Sequence, residues 1–447
     1  MDLLDQIYKA GVVGAGGAGF PTHIKLKCFV EYLIVNAAEC EPLIQTDKYI
    51  MRHSAEEIIE ALEVMAPLVG ADKIKIAIKG KYEKEIDSLK KAIEKLNSKV
   101  ELFYLKSIYP AGDEHVIVYE VTGRVIPPGG IPLNVGAVVS NVATVVNIYD
   151  AMKGKNVTGK VITVTGEVGN PSLLTVPIGT PVLKCIEAAG GLKIKDYCVI
   201  MGGPMMGAIL SSQEVAKRSI TKTDGGIIVL PAEHYIRTRT SLSMQHMINQ
   251  TKSACIQCSY CTEMCPRYLM GHPIRPHKVM RAISMSKDHG EEVFKDALLC
   301  CECGVCEMYA CPMGISPRQV NIMVKKELRQ KGVKFSTEEK ITPIEERDSR
   351  QVPVSRLVQR LNLGKYSEIK FVDEASHLKV CKVYIPLKQH IGKPATAIVL
   401  VGDEVIKGQL IGEIQLKDMG ANIHASIDGK VTEVSHHIVI ESSEVKL

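Results

Sequence analysis

The chain has 447 residues, 46% hydrophobic and 23% charged, with 55 Lys and Arg against 50 Asp and Glu for a formal net charge of +5. Single cores stop growing near about 250–300 residues, so about three domains are expected. No uninterrupted apolar run approaches the about 18 residues needed to cross a bilayer, and the absence of Trp, with aromatics at only 5%, leaves no basic and aromatic stripe for nucleic acid.

A short helix is expected over 2–10, followed by the stretch GVVGAGGAGFPTHIKLK. Gly14, Gly16, Gly17 and Gly19 let the backbone approach a phosphate or a ring system closely, with amide N–H groups as donors. No hydrophobic strand precedes this loop, so it is not the dinucleotide fingerprint in its usual place. A buried strand over 31–35 then delivers Asn36, Glu39 and Glu41 at its carboxyl end, where open α/β sheets bind ligands. Helices over 54–65 and 82–96 and strands over 73–78 and 100–105 complete a parallel βαβ pattern. The last strand leads into Tyr109, Gly112, Asp113 and Glu114.

The motifs GAGGAGFPTHIK, VNAAECEP, YPAGDE and VSNVATVVN together resemble the flavin- and NADH-binding domain shared by the NADH-oxidising subunit of respiratory complex I and the C subunit of Rnf-type electron-transport complexes. The resemblance covers residues 1–150. It implies FMN cradled by Gly14, Gly16, Gly17 and Gly19, with Lys25, Asn36, Glu39, Gly112 and Asn141 around the flavin. It also implies NADH over the flavin near Phe20, Glu41 and Glu114. The complex I version has Asp where this chain has Ala38, and two Glu where it has Asp113 and Glu114.

Residues 154–235 alternate in β pattern around a Gly-Asn-Pro turn and a short helix over 181–189. They resemble the soluble-ligand-binding β-grasp (SLBB) domain that follows the flavin domain in the same families, here expected to act as a structural spacer. The segment GGPMMG over 202–207 reads as a tight turn packed near the region that follows.

That region, 236–330, carries CIQCSYCTEMCP and then, with 34 residues between Cys265 and Cys300, CCECGVCEMYACP. Cys255, Cys258, Cys261 and Cys265 follow C-x2-C-x2-C-x3-C-P, the spacing by which three thiolates of one loop reach three irons of a cubane while the fourth ligand comes from the other run. This assigns Cys255, Cys258, Cys261 and Cys311 to one 4Fe-4S cluster and Cys265, Cys300, Cys303 and Cys306 to a second. The second run has four residues before its last Cys and an extra thiol, Cys301, able to replace Cys300. A disulfide framework needs an oxidising compartment, and no charged segment followed by an apolar one opens the chain; zinc would favour two separated CxxC pairs. Two clusters with their thiolates, each at about −2, bring the net charge near neutral. His272 and His277, between the runs, read as surface or capping residues, and the flanking segments as shielding helices.

A Lys- and Glu-rich stretch marks residues 331–375 as a linker. Residues 376–447 resemble the barrel-sandwich module of lipoyl and biotinyl domains. IHASIDG, over 423–429, has no Lys at the hairpin tip, so a docking or structural role is expected.

The whole is thus an α/β multidomain chain: a Rossmann-like FMN/NADH domain (1–153), the β-grasp module (154–235), a helical dicluster ferredoxin domain (236–330), the linker, and an all-β barrel-sandwich module. In Rnf-type C subunits that last module precedes the flavin domain. Its place at the other end, with the extra residue before Cys311, resembles the cobalamin reductases of propanediol-utilisation systems. That likeness implies cytoplasmic location inside a bacterial microcompartment, with cobalamin, its adenosyltransferase and shell proteins as partners. Electrons would pass from NADH through FMN and the clusters to a corrinoid, reduced to Co(I) for adenosylation. The rival readings are a peripheral component of an Rnf-like NADH:ferredoxin complex and a non-enzymatic cluster-bearing relay.

Overall fold

The computed structural model describes residues 2–285, 292–337 and 339–442. An all-parallel sheet runs in the order Glu101–Leu105, Lys73–Lys79, Tyr32–Ala37, Ala137–Asn141. Its central strand is apolar along nearly its whole length, as a parallel strand covered on both faces must be. The helix Ala55–Val69 turns Ile58, Ile59, Leu62, Met65 and Val69 inward at three- and four-residue spacing and stops at Gly70 in the left-handed region. The chain steps from the first strand outward to Glu101–Leu105 and then returns to the other side for Ala137–Asn141. The sheet therefore has a switch point at the carboxyl ends of Tyr32–Ala37 and Ala137–Asn141, where Asn36 faces Asn141 in register.

The second unit is a six-stranded mixed sheet. Its central strands, Gly159–Gly166 and Gly226–Pro231, are parallel, and the helix Val182–Ala188 packs Val182 and Ile186 against Ile162, Val164 and Val229. Gln45 N–H donates to Thr163 Oγ1 at 3.0 Å, tying this sheet to the first domain.

Residues 331–375 depart from the expected linker. Val352–Pro353 pairs antiparallel with Ile108–Tyr109. Leu357, Leu361, Leu363 and Tyr366 are buried in one core with Cys303, Val305 and Met308, and Ala375–His377 forms the edge strand of the six-stranded sheet. The polar composition belongs to 332–350; the stretch after it, VSRLVQRLNLGKY, carries Leu357 and Leu361 four residues apart and folds as a strap.

In the cysteine region the helices Met244–Ala254, Pro276–Ser284 and Pro317–Gln330 bring Val279, Met280, Val320 and Val324 around Cys311. The C-terminal module has a four-stranded antiparallel sheet and a three-stranded one. Its interior residues Val383, Ile411, Ile423 and Val431 continue the core that holds Ile7 and Ile58 of the N-terminal domain. At the hairpin tip Ala425 is 0% exposed, and Ser426 Oγ donates to the Ile178 carbonyl at 2.6 Å. A tip held this way is docked and cannot swing. Lys222 joins three units, its Nζ donating to the carbonyls of Gly11 and Asn422, each at 2.7 Å; burial pushes its pKa down to about 7. Among the described residues no helix is long and apolar enough to cross a membrane.

Candidate flavin and iron–sulfur site

A cavity of about 570 Å³ opens at the sheet's switch point. Gly16 and Gly17 form one wall. A Cβ on Gly16 would sit 2.9 Å from the Asn141 side chain, whereas one on Gly17 would project into open space. Asn141 caps the helix Val142–Met152 through Ala143 N–H at 2.9 Å and donates to Asp47 Oδ2 at 2.8 Å. The positive end of that helix thus lies at the cavity. Asn36 Nδ2 donates to the Gly112 carbonyl at 2.9 Å, and Gly112 N–H donates to Cys40 Sγ at 2.7 Å. A Cβ on Gly112 would come within 3.0 Å of that sulfur.

The wall is acidic but reluctant to ionise. Burial, then Asp47 and Glu41, push the Glu39 carboxyl up to about 8; burial pushes Glu41 up to about 7 against the opposing pull of the Met205 N–H and Arg318. Met205 N–H donates to Glu41 Oε2 at 2.9 Å, while Glu41 Oε1 has no hydrogen-bond partner among the described residues. A glycine cradle, a helix N-terminus and an orphaned carboxylate oxygen are the features an FMN phosphate and ring require, so the residues fit that cofactor.

Not every expected residue reaches this cavity. Gly14, Gly19, Phe20, Lys25 and Glu114 lie outside its wall, while Gly16, Gly17, Asn36, Glu39, Glu41, Gly112 and Asn141 line it. Gly19, at φ +72°, packs instead on His390 and Thr223, 2.8 Å from where its Cβ would be; Ile391 N–H donates to the Ala18 carbonyl at 2.8 Å. The C-terminal module therefore braces the glycine loop from behind. Gly14 N–H donates to Phe20 O at 3.0 Å, closing the loop's base. Lys25 and Glu114 pair with each other at 2.7 Å.

The β-grasp-like unit is no mere spacer. Gly202, Gly203, Met206, Lys160 and Thr223–Gly225 form the opposite wall, and a Cβ on Gly203 would come 2.2 Å from the Glu41 side chain. Sequence reasoning missed these residues, although the glycine pairs of GGPMMG and TKTDGG at strand ends signal close approach.

Two thiols, Cys301 and Cys303, complete the cavity wall. Cys265 has Cys300 and Cys301 close enough to disfavour its ionisation, and Cys306 has Cys300 and Cys265. Cys255, Cys258, Cys261 and Cys311 line a separate small cavity with Met280 and Ile315. Burial, then Cys311, Cys255 and Cys258, push Cys261 up to about 12. Crowded buried thiols of this kind call for a metal centre to take their charge. Among the described residues no three His, Cys, Asp or Glu converge on a point for one ion; a cubane needs no such point, because each thiolate meets a different iron. His272 is not on the surface: it is buried against His115, Nε2 to Nδ1 at 3.3 Å. His277 Nδ1 lies 2.7 Å from Thr262 Oγ1. Arg267 donates to Asp113 Oδ2 at 2.8 Å across the boundary between flavin and cysteine units.

Four family models match the chain: the Nuo51 FMN-binding domain over 7–150, the SLBB domain over 161–208, the 4Fe-4S dicluster domain over 254–316, and the RnfC barrel sandwich hybrid domain over 364–447. The protein is an electron-transfer oxidoreductase with an FMN-binding domain and an iron–sulfur domain. It is 40% identical to cobalamin reductase PduS of Salmonella typhimurium over 98% of this chain and 96% of that one, and 39% identical to that of Citrobacter freundii over 98% and 95%. The chain belongs to the cobalamin reductase PduS family. It is also 33% identical to the RnfC-type component of the proton-translocating ferredoxin:NAD(+) oxidoreductase complex of Clostridium ljungdahlii, over 60% of this chain and 56% of that one. An NAD+-reducing NiFe hydrogenase in the H2-reduced state shares the fold, with a TM-score of 0.50 and 19% identity over 74% of this chain and 67% of that one.

Proposed function

We propose that the chain passes electrons from NADH by way of FMN and two 4Fe-4S clusters to a corrinoid, reducing its cobalt to Co(I) for adenosylation. The observation that carries this reading is the shared wall: Gly16, Gly17 and Asn141 enclose the same cavity as Cys301 and Cys303. When bound, FMN exchanges a two-electron hydride for single electrons and each cubane carries one electron at a time. The chain's own residues do the rest. Gly16, Gly17 and the helix capped by Asn141 hold the flavin phosphate and ring. Asn36 and Gly112 fix the floor, and burial disfavours the charged forms of Glu39 and Glu41. Cys255, Cys258, Cys261 and Cys311 hold one cluster; Cys265, Cys303 and Cys306, with Cys300, hold the other. Phe20 and the Lys25–Glu114 pair, outside the wall, are left for the dinucleotide.

The corrinoid is the substrate named for the relatives that match almost end to end. The sequence has no D-x-H-x-x-G stretch, so the corrinoid or its adenosyltransferase docks transiently, with shell proteins of a microcompartment as further partners. Anaerobic assay with NADH and the reconstituted holoprotein tests this: hydroxocobalamin should be reduced and ferredoxin should not. Reduction of ferredoxin alone would transfer the chain to the NADH:ferredoxin role of its Clostridium relative.

A further inference from the structure

Tyr109 is 3% exposed and touches three parts of the molecule. Its ring stands in the wall of the flavin cavity. Its hydroxyl donates to the Cys303 carbonyl at 2.8 Å, across 194 residues of sequence. It also lies within hydrogen-bonding reach of the Glu41 carboxylate. The strap fixes it from behind, since Val352 pairs with Tyr109 in register. On the far side Met205, anchored to Glu41, reaches over Gly304, which sits at φ +81° between Cys303 and Cys306. A side chain held by an antiparallel pair and buried in a mixed core has one position, and its hydroxyl has one acceptor nearby on the cysteine loop.

We infer that Tyr109 is a positioning residue that ties the flavin cavity to the second thiol set and raises the reduction potential of the cluster held there, so that electrons leave the cavity past Cys303. Donors aimed at a cluster's ligand loop favour its reduced, more negative form. The step is bare electron transfer: one electron leaves the reduced cofactor in the cavity, the cluster beside Cys303 gains it, and no bond forms or breaks. NADH supplies the electrons. This inference rests on the two-cluster reading above.

The test is Tyr109→Phe in the anaerobically reconstituted full chain, which keeps the ring and removes only the hydroxyl. Losing one hydrogen bond of ordinary net strength should shift the redox equilibrium of the second cluster about fivefold toward the oxidised form, about 40 mV at 59 mV per tenfold for one electron. The signal assigned to the Cys261 set should not move. If Tyr109→Phe fails to assemble, 3-fluorotyrosine at position 109 keeps the bond and strengthens the donor, so the same potential should rise. Equal shifts in both clusters, or no shift in a variant holding both clusters, would overturn the inference. Wild-type protein that binds fewer than two clusters would overturn the reading beneath it instead.

Discussion

Cys258 and Cys303 hold the same place in their two runs, the second thiol of C-x2-C-x2-C, and their surroundings differ. Cys258 is partly exposed, between the exposed Ile256 and Tyr260. Cys303 is buried, its carbonyl receives the Tyr109 hydroxyl, and it lines the cavity with Gly16 and Gly17. Equal spacing gives equal ligating ability, while packing decides which set borders the cavity and which faces outward. The tertiary elements that make the difference come from afar in sequence: Tyr109 from the flavin domain, Met205 from the six-stranded sheet, Leu357 and Leu361 from the strap.

The harshest way to break the contrast is to remove the supply to both sets. Gly17→Val fills open space in the cradle, and its Cβ meets nothing within 4 Å, so the fold should survive. FMN content should fall to nothing while iron stays at about eight per chain; NADH should then reduce neither set, though dithionite reduces both. Retained flavin would place the cofactor elsewhere.

Gly203→Ala acts on one side only. Its Cβ meets the Glu41 side chain at 2.2 Å, an overpacking that costs about 1–3 kcal/mol. Thermal unfolding should come earlier, and the signal of the second set should broaden or shift while that of the first does not. Unchanged stability would mean that the two walls are less tightly apposed than the structure has them.

The Lys222 ammonium is bound to the Gly11 and Asn422 carbonyls and to neither cysteine set, so its loss should leave both signals in place. Its folded pKa of about 7 lies below the usual lysine value. Between about pH 7 and 10.4 the unfolded chain therefore holds a proton that the folded chain has released, and stability contributed by this group rises with pH across that window. In Lys222→Met that rise should vanish, so the difference in unfolding free energy between wild type and variant should change between pH 7 and 9. A difference independent of pH would show the ammonium is retained.

Much of this was legible beforehand because short-range rules govern it. Three of the four parallel strands are legible from their β-type residues, whereas Ala137–Asn141 is not, and the helix expected over 54–65 extends to Val69 with Pro67 in its last turn. The thiols and seven of the cavity residues lay in motifs whose chemistry is local. What escaped was long-range. Gly19 reads like its neighbours in the loop, and only the arrival of His390 assigns it to packing. Lys160 and Gly203 carry no signature of a flavin wall until the six-stranded sheet docks on the first. The strap was hidden by a window of composition that averaged Lys and Glu at 332–350 with the apolar spacing that follows.

The central claim is that electrons enter the cysteine region through the Cys265, Cys303 and Cys306 set and reach the Cys255, Cys258 and Cys261 set afterwards. It is tested most directly by electron paramagnetic resonance of Cys311→Ser and Cys265→Ser holoproteins, each mixed anaerobically with NADH and, separately, with dithionite. The account expects NADH to reduce the second set normally in Cys311→Ser, and to leave the first set oxidised in Cys265→Ser although dithionite still reduces it. NADH reduction of the first set in Cys265→Ser at the wild-type rate would contradict it.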